Sequence, residues 1–258
     1  MYNQSEQIPL AEFDADKTAI IEPTSVIKGT SPTEHCVMPI YGKLIAKLKN
    51  DGRLEKVHEF ETVSLPPIEA YKLNYEGKPV IVANPGSGAP LVAGIFEELI
   101  AFGCRKFVAC GSAGVLKPEL KRGAIVIPGI ALRDEGTSYH YCLPSRLIEM
   151  DAAVVRKLES VLLKHAVKYE IGKTWTTDGF YRETKGKVAR RKSEGCLTVE
   201  MECSALVAVA RFRNVLFGQY LAAGDDISGK EWNPRYVDNK LPFQEKVFWL
   251  SVEACLNL

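Results

Sequence analysis

Short apolar runs that resemble β-strands alternate along the chain with longer stretches that have apolar residues at helical spacing. This alternation is typical of an α/β domain with a mostly parallel sheet. A hairpin pattern around Glu76-Gly77 adds antiparallel strands, so we expect a mixed central sheet flanked by helices. The predicted strands are residues 18–21, 79–83, 106–109, 124–128 and 215–222, and the predicted helices are residues 91–102, 152–165, 204–212 and 243–256.

Two small-residue turns follow predicted strands. The sequence Gly-Ser-Gly at 86–88 precedes a predicted helix, and Gly-Ser-Ala-Gly at 111–114 follows the next predicted strand. Glycines let backbone N–H groups approach a ligand, and a helix N-terminus favours an anion. Taken alone, each turn is equally compatible with a tight connection that binds nothing. Together they predict a shared crevice at the strand ends, where Gly86 and the hydroxyl of Ser112 suit a phosphate or a ribose oxygen.

The composition of the chain argues against several classes of function. The chain has 258 residues, which suits one large domain, and its 33 basic and 32 acidic residues give a formal charge of +1. That balance argues against a nucleic-acid partner, which requires a basic surface. No apolar run is long enough for a membrane span, and the polar N-terminus lacks a signal peptide pattern. Seven scattered cysteines without finger-like spacing predict free thiols in the cytoplasm and no metal site.

The segment CLTVEMECSAL places two carboxylates among apolar residues just before a predicted helix. A surface loop has no need of Val199 and Met201, and a hydrophobic core excludes unpaired glutamates. The segment therefore predicts a buried polar site that contains Glu200 and Glu202. A solvated acidic strand end is the alternative.

These motifs together resemble the nucleoside phosphorylase family, which includes uridine phosphorylase, bacterial hexameric purine nucleoside phosphorylase and the methylthioadenosine/adenosylhomocysteine nucleosidases. The resemblance runs from about Tyr71 to Leu206 and more loosely to Asp226, whereas residues 1–65 match poorly. The segments that carry it are EGKPVIVANPGSGAP, EELIAFG, GSAGVL, RGAIVIPGIALRDEGTSYHY, TTDGFY and VEMECSAL.

The resemblance implies a phosphorylase/hydrolase-like α/β fold, with residues 1–258 as a single nucleoside phosphorylase-like domain. It implies cleavage of the bond between a ribose C1′ and a base nitrogen. The attacking group is phosphate in the phosphorylases, which gives free base and ribose 1-phosphate, and water in the nucleosidases. No cofactor is expected apart from phosphate as co-substrate. The expected assembly is a homo-oligomer, a dimer or a hexamer.

The resemblance also assigns roles to residues. Glu202 would bind the ribose 2′- and 3′-hydroxyls and stabilise the oxocarbenium-like sugar, with Met201 as an apolar wall and Glu200 at the site edge. Phe180 would pack against the base. Asp225 would act with Glu202 in catalysis, by donating a proton toward N7 of a purine, so a purine ribonucleoside is the expected substrate. A core phenylalanine and a loop-capping aspartate are the simpler alternatives.

The phosphate site departs from the family pattern. The family places Gly-Asp-Pro-x-Arg after its first strand, but the segment AIIEPTSVIKG has neither that glycine nor the arginine, and Lys28 is the nearest cation. Further family arginines correspond to Ala109 and Pro66. Gly86, Ser112 and Lys28 remain as candidate anion ligands. Loss of bidentate arginines weakens phosphate binding. A hydrolytic nucleosidase is therefore the first alternative, and a non-catalytic storage or binding relative is the second.

Overall fold

The computed structural model of the protein describes residues 8–62, 65–237 and 239–258, so residues 1–7 of the poorly matching N-terminal part lie outside it. The helices are α1 (Pro23–Val26), α2 (Gly42–Asn50), α3 (Ala89–Phe102), α4 (Ala152–Lys164), α5 (Lys185–Ser193), α6 (Cys203–Arg213) and α7 (Leu241–Leu256). The strands are β1 (His35–Pro39), β2 (Glu55–Phe60), β3 (Ile68–Tyr75), β4 (Lys78–Ala83), β5 (Lys106–Val115), β6 (Ile125–Asp134), β7 (Leu147–Glu149), β8 (Tyr169–Thr177), β9 (Cys196–Glu200) and β10 (Leu216–Asp226).

Ten strands form one mixed sheet, which confirms the predicted fold class. Five of them, in the order β5, β10, β6, β8 and β9, close into a ring because β9 pairs with both β8 and β5. The strands β1, β4, β3 and β2 continue outward from β5, and β7 pairs with β6. The ring closes at the carboxyl ends of β5 and β10, which is the edge where α/β sheets bind ligands.

Helices cover both faces of the parallel part of the sheet. On one face, α3 packs against α6, and Phe96 of α3 meets the rings of Phe107 and Phe217. On the other face, α4 packs against α7, and the Tyr220 hydroxyl donates to the carbonyl of Leu158. Within the described chain, no helix is both long and apolar enough to cross a bilayer.

The four predicted helices are present with small shifts in their ends, and four of the five predicted strands are present. The hairpin is confirmed: β3 and β4 are joined by Glu76 and Gly77, both with positive φ, as a two-residue type I′ turn requires.

The predicted strand at residues 18–21 is wrong. Ile20 and Ile21 are exposed and pair with no strand. The short apolar run has no neighbouring strand to complete its backbone hydrogen bonds, and Pro23 follows it. The first strand is β1, so the segment to compare with the family's phosphate motif is Ile40-Tyr41-Gly42-Lys43-Leu44, which also lacks the arginine.

Candidate active site

A cavity of about 820 Å³ opens where the carboxyl ends of β5, β9 and β10 meet. Close strand contact shapes it: a Cβ on Gly114 would stand 2.9 Å from Cγ1 of Val199, so only glycine lets β5 pair with β9 here. The inner wall of the cavity consists of Ser87, Ser112, Val199, Glu200, Met201 and Glu202.

The two glutamates of the inner wall are held by the backbone at the starts of two helices. Glu202 Oε1 accepts the N–H of Gly88, which directly precedes α3 and has φ +93°, at 2.7 Å. Glu200 Oε2 accepts the N–H groups of Glu202 and Cys203 at 2.8 and 2.7 Å, which caps α6. Helix N-termini stabilise negative charge, and this explains how two carboxyl groups that are each 6% exposed fit among apolar residues.

Burial disfavours the ionisation of both glutamates of the inner wall at the same time. Burial, and then the neighbouring Glu202, raise the pKa of Glu200 to about 8, although the Thr176 hydroxyl and two N–H groups oppose the shift. Burial also raises the pKa of Glu202, and the Gly88 N–H opposes it. A proton on Glu200 at neutral pH lets Glu202 carry the charge of the pair.

A buried hydrogen-bond network fixes this wall from behind. The Ser204 hydroxyl at the start of α6 donates to Glu135 Oε1 at 2.8 Å, and the Ser204 N–H donates to the Thr176 hydroxyl. Thr176 in turn donates to Glu200 Oε1 at 2.6 Å. The start of α6 around Glu202 is therefore held by Glu135, which directly follows β6, and by Thr176 of β8, while the Glu202 side chain itself is held by the start of α3.

Aromatic and acidic side chains form the mouth of the cavity: Phe180, Tyr181, Glu183, Asp225 and Trp232. The rings of Phe180 and Tyr181 lie with their centroids 4.1 Å apart in a short 3-10 turn, and both are exposed. The indole N–H of Trp232 donates to Asp225 Oδ2 at 2.7 Å. The mouth thus offers flat apolar faces beside carboxyl groups.

Glu183 is the carboxyl group of the mouth that has a raised pKa. Burial, and then the charge of Asp225, raise the pKa of Glu183 to about 7. A carboxyl group with this pKa is partly protonated at neutral pH and is able to donate a proton to a ligand.

No Lys, Arg or His side chain lines this cavity in the described part of the chain. Ser112 also borders a second hollow of about 240 Å³, whose lining includes Arg122 and Lys240. The cations that share a cavity lining with Ser112 therefore belong to this second hollow. Among the described residues, no group of three histidine, cysteine or acidic side chains is arranged to hold a metal, and all seven cysteines have free thiols.

Comparison with known proteins now places the chain in a family. The family model described as the phosphorylase superfamily matches residues 36–246. The chain belongs to the phosphorylase superfamily. Several of its curated relatives are named nucleoside phosphorylases, which are pentosyltransferases, and the chain is an enzyme of that class.

Two curated relatives and two solved structures show the extent of the similarity. Uridine phosphorylase from Thermococcus kodakarensis is 36% identical over 107 residues, which is 42% of this chain and 39% of that protein. Guanosine phosphorylase from Halorubrum lacusprofundi is 25% identical over 76% of this chain and 83% of its own length. The fold is shared with purine nucleoside phosphorylase from Toxoplasma gondii (TM-score 0.72, 20% identity, 87% of this chain and 90% of that chain) and uridine phosphorylase from Vibrio fischeri (TM-score 0.73, 20% identity, 89% and 98%).

Most of the site residues predicted from the sequence lie together in this superfamily member. Glu200, Met201, Glu202, Phe180 and Asp225 all line the cavity. Ser112 lines it as well.

Two predicted anion ligands do not join them. Lys28 directly precedes Gly29, which packs against Phe102 at the end of α3, whereas the cavity lies at the start of that helix, about 20 Å away along its axis. The Gly86 N–H donates to the Asn84 side chain, and Ser87 is the residue of this turn that lines the cavity. The mistaken first strand explains the choice of Lys28.

Sequence reasoning missed Ile40 and Gln219, which form the floor of the cavity together with Gly111 of the second small-residue turn. Gln219 lies in the run VLFGQYLAA, where every residue on either side of the Gly-Gln pair is apolar. A single polar side chain in the middle of a buried strand was the available signal. Trp232 was also missed because it lies beyond the strands, in a connecting segment.

Proposed function

We propose that the protein cleaves the N-glycosidic bond of a purine ribonucleoside by phosphorolysis and releases the free base and ribose 1-phosphate. One observation carries the proposal: a single cavity contains a backbone-held carboxylate, a hydroxyl from a glycine turn and an aromatic mouth with acids. This combination matches the three parts of the reaction, which are the sugar, the attacking group and the base.

The geometry orients the substrate in one direction. The base stacks on Phe180 at the mouth, where the aromatic faces are exposed. The ribose lies deeper, against Met201 and Glu202. Phosphate approaches from the side of Ser87 and Ser112, below the sugar.

Glu202 stabilises the sugar as positive charge develops on it. Its Oε1 accepts the Gly88 N–H. The ribose 2′- and 3′-hydroxyls supply further donors to the same carboxylate, so the charge of Glu202 is directed at the ring that becomes oxocarbenium-like. Glu200 takes a supporting role, because its oxygens are already engaged by Thr176 and the start of α6.

The acids at the mouth favour a purine. A purine leaves most readily when N7 is protonated, which requires a proton donor beside the base. The Trp232 indole N–H donates to Asp225, and the charge of Asp225 helps to keep Glu183 protonated. Asp225 and Glu183 therefore act as a pair, in which Glu183 carries the proton.

Hydrolysis is the second candidate, and one observation favours it. No cationic side chain lines the described cavity, and a phosphate dianion lacks its usual partners there. Water needs no such partners. A cation donated by a neighbouring subunit of the expected dimer or hexamer would remove this difficulty.

A phosphate-dependence assay tests the proposal. Guanosine, adenosine, inosine and uridine are incubated with the protein in phosphate-free buffer and with added phosphate, and the sugar product is identified. We expect phosphate-dependent release of a purine with ribose 1-phosphate. Equal turnover without phosphate, with free ribose as product, supports hydrolysis instead.

A Glu202→Gln variant serves as the control for contaminating activity. No turnover with any nucleoside by the wild-type protein, together with no nucleoside binding by calorimetry, contradicts both reactions and supports a non-catalytic relative.

A further inference from the structure

Gln219 is the most unusual polar residue of the cavity that the mechanism leaves without a role. It is 0% exposed and lies in the middle of β10. Neither its amide oxygen nor its amide nitrogen has a hydrogen-bond partner among residues 8–62, 65–237 and 239–258. An unsatisfied buried amide destabilises a fold, so its presence indicates a partner that arrives from outside the chain.

The position of Gln219 shows where that partner binds. On β10, Gln219 pairs with Ala109 of β5, and Leu221 pairs with Gly111. Paired residues of parallel strands point to the same face of the sheet, and next to Gln219 on that face Ala109 carries only a methyl group, whereas the Ile40 side chain packs over Gly111. The long side chain of Gln219 is therefore the polar group that reaches the floor of the cavity.

The floor lies on the side of the proposed sugar position that is opposite to the base. Asp225 is six residues further along β10, beyond the irregularity in register that follows Ala223, and belongs to the mouth. A base stacked at the mouth on Phe180 is thus far from the Gln219 amide. The groups near the floor are those proposed to receive the attacking group.

We propose that Gln219 binds the inorganic phosphate that attacks the ribose C1′. This inference rests on the proposed function and adds a ligand for its co-substrate. The amide N–H donates to one phosphate oxygen, the amide oxygen accepts from a protonated phosphate oxygen, and Ser87 and Ser112 contribute hydroxyls from the inner wall. Uncharged groups of this kind bind an oxyanion by hydrogen bonds without an arginine.

The test compares the wild-type protein with Gln219→Leu, which keeps the size and removes the amide. We expect the KM for phosphate to rise by about tenfold or more, with the KM for the nucleoside unchanged. Without ligands, the melting temperature of Gln219→Leu is expected to equal or exceed that of the wild-type protein, because an unsatisfied amide is removed. Added inorganic phosphate is expected to raise the melting temperature of the wild-type protein and to have less effect on the variant.

Matched variants distinguish the loss of a phosphate ligand from a change in KM that is caused by altered packing around residue 219. Gln219→Met repeats the test with a flexible apolar chain, and Gln219→Glu adds a charge that repels phosphate and should raise its KM further. Lys28→Gln and Lys240→Gln remove cations outside the cavity and are expected to leave the KM for phosphate unchanged.

Three results overturn the inference in distinguishable ways. A normal phosphate KM in Gln219→Leu removes Gln219 from the phosphate site and leaves phosphorolysis intact. A raised phosphate KM in Lys240→Gln but not in Gln219→Leu places phosphate in the second hollow beyond Ser112. Phosphate-independent turnover by the wild-type protein removes both the inference and the phosphorolysis on which it rests.

Discussion

The inner wall and the mouth of the cavity are built by different means. On the inner wall, Glu200 and Glu202 are each 6% exposed, and backbone N–H groups at the starts of two helices hold them. At the mouth, Phe180 is 52% exposed and Tyr181 is 88% exposed, and both lie in a short turn.

The difference between the inner wall and the mouth suggests that the sugar and the base are recognised in different ways. In the proposed arrangement, the carboxyl groups that face the sugar are fixed by the main chain of the fold, whereas Phe180 and Glu183, which face the base, lie on a connecting segment. Loops tolerate change better than the elements they connect. We therefore expect substitutions on the inner wall to affect turnover of every nucleoside or the stability of the fold, and substitutions at the mouth to affect the choice of base.

The largest effect is expected for Glu202→Gln. The amide still accepts the Gly88 N–H but no longer places a negative charge under the sugar, so kcat/KM should fall by about 10²- to 10³-fold for every substrate. Steady-state kinetics with two different bases checks this, with the exposed Glu119→Gln as the matched control. A loss confined to one base contradicts the separation between inner wall and mouth.

A smaller effect is expected for Phe180→Ala. Loss of a stacking face costs about 1–3 kcal/mol, which raises the KM for the nucleoside by about 5- to 160-fold. Tyr181→Ala is the matched control, because this neighbouring ring is more exposed. Equal kinetics for Phe180→Ala and the wild-type protein remove Phe180 from the base site. Unfolding curves should not change, since the ring is half exposed.

The pH dependence of purine cleavage is expected to follow the titration of the Glu183 carboxyl group. Because burial and Asp225 raise the pKa of this carboxyl group to about 7, its protonated form is lost as the pH rises through 7. As the proton donor, it should make kcat/KM for a purine fall by about tenfold for each pH unit well above 7.

Glu183→Gln should flatten this alkaline fall and lower the rate below pH 7. A variant that keeps the wild-type pH profile shows that another group donates the proton. A pyrimidine nucleoside, if it is cleaved, serves as the comparison substrate. Because it has no N7 to protonate, its pH profile should lack the alkaline fall that is due to Glu183.

The last expected effect is on stability rather than on turnover and concerns Glu200. The pKa of this carboxyl group is raised to about 8 in the folded protein, so between about pH 4.5 and 8 the folded state binds more protons than the unfolded state. Its contribution therefore makes the free energy of unfolding fall as the pH rises through this range, by at most about 1.4 kcal/mol per pH unit.

Urea unfolding at pH 5.5 and 8 measures this slope. Glu200→Gln, whose amide is able to accept from the start of α6 and donate to Thr176, should show a flatter slope than the wild-type protein. Identical slopes indicate that Glu200 is ionised in the fold throughout this range.

The sequence predicted the parts of the fold that depend on local pattern. The helices α3, α4, α6 and α7 carry long periodic apolar faces, and the β3–β4 turn has its own Glu-Gly signature. The closed ring was not predictable in this way. It depends on the pairing of β9 with β5 at Val199 and Gly114, two residues that are far apart in the sequence.

The same limit applies to the site. Glu202, Phe180 and Asp225 stand in recognisable motifs, and the structure brings them to one cavity. Lys28 was chosen from a strand that does not form. Gln219 was missed because a polar residue inside an apolar strand indicates a site only once its strand partner is known to be the small Ala109 and its side chain is known to line the cavity.

The most direct test of the central claim measures the coupling between Glu202 and the ribose hydroxyls. The wild-type protein and Glu202→Gln are each assayed with the ribonucleoside that turns over fastest and with its 2′,3′-dideoxy counterpart. If Glu202 binds these hydroxyls, the wild-type protein should prefer the ribonucleoside strongly and the variant should lose most of that preference. A variant that discriminates as well as the wild-type protein would show that the carboxylate does not contact the sugar.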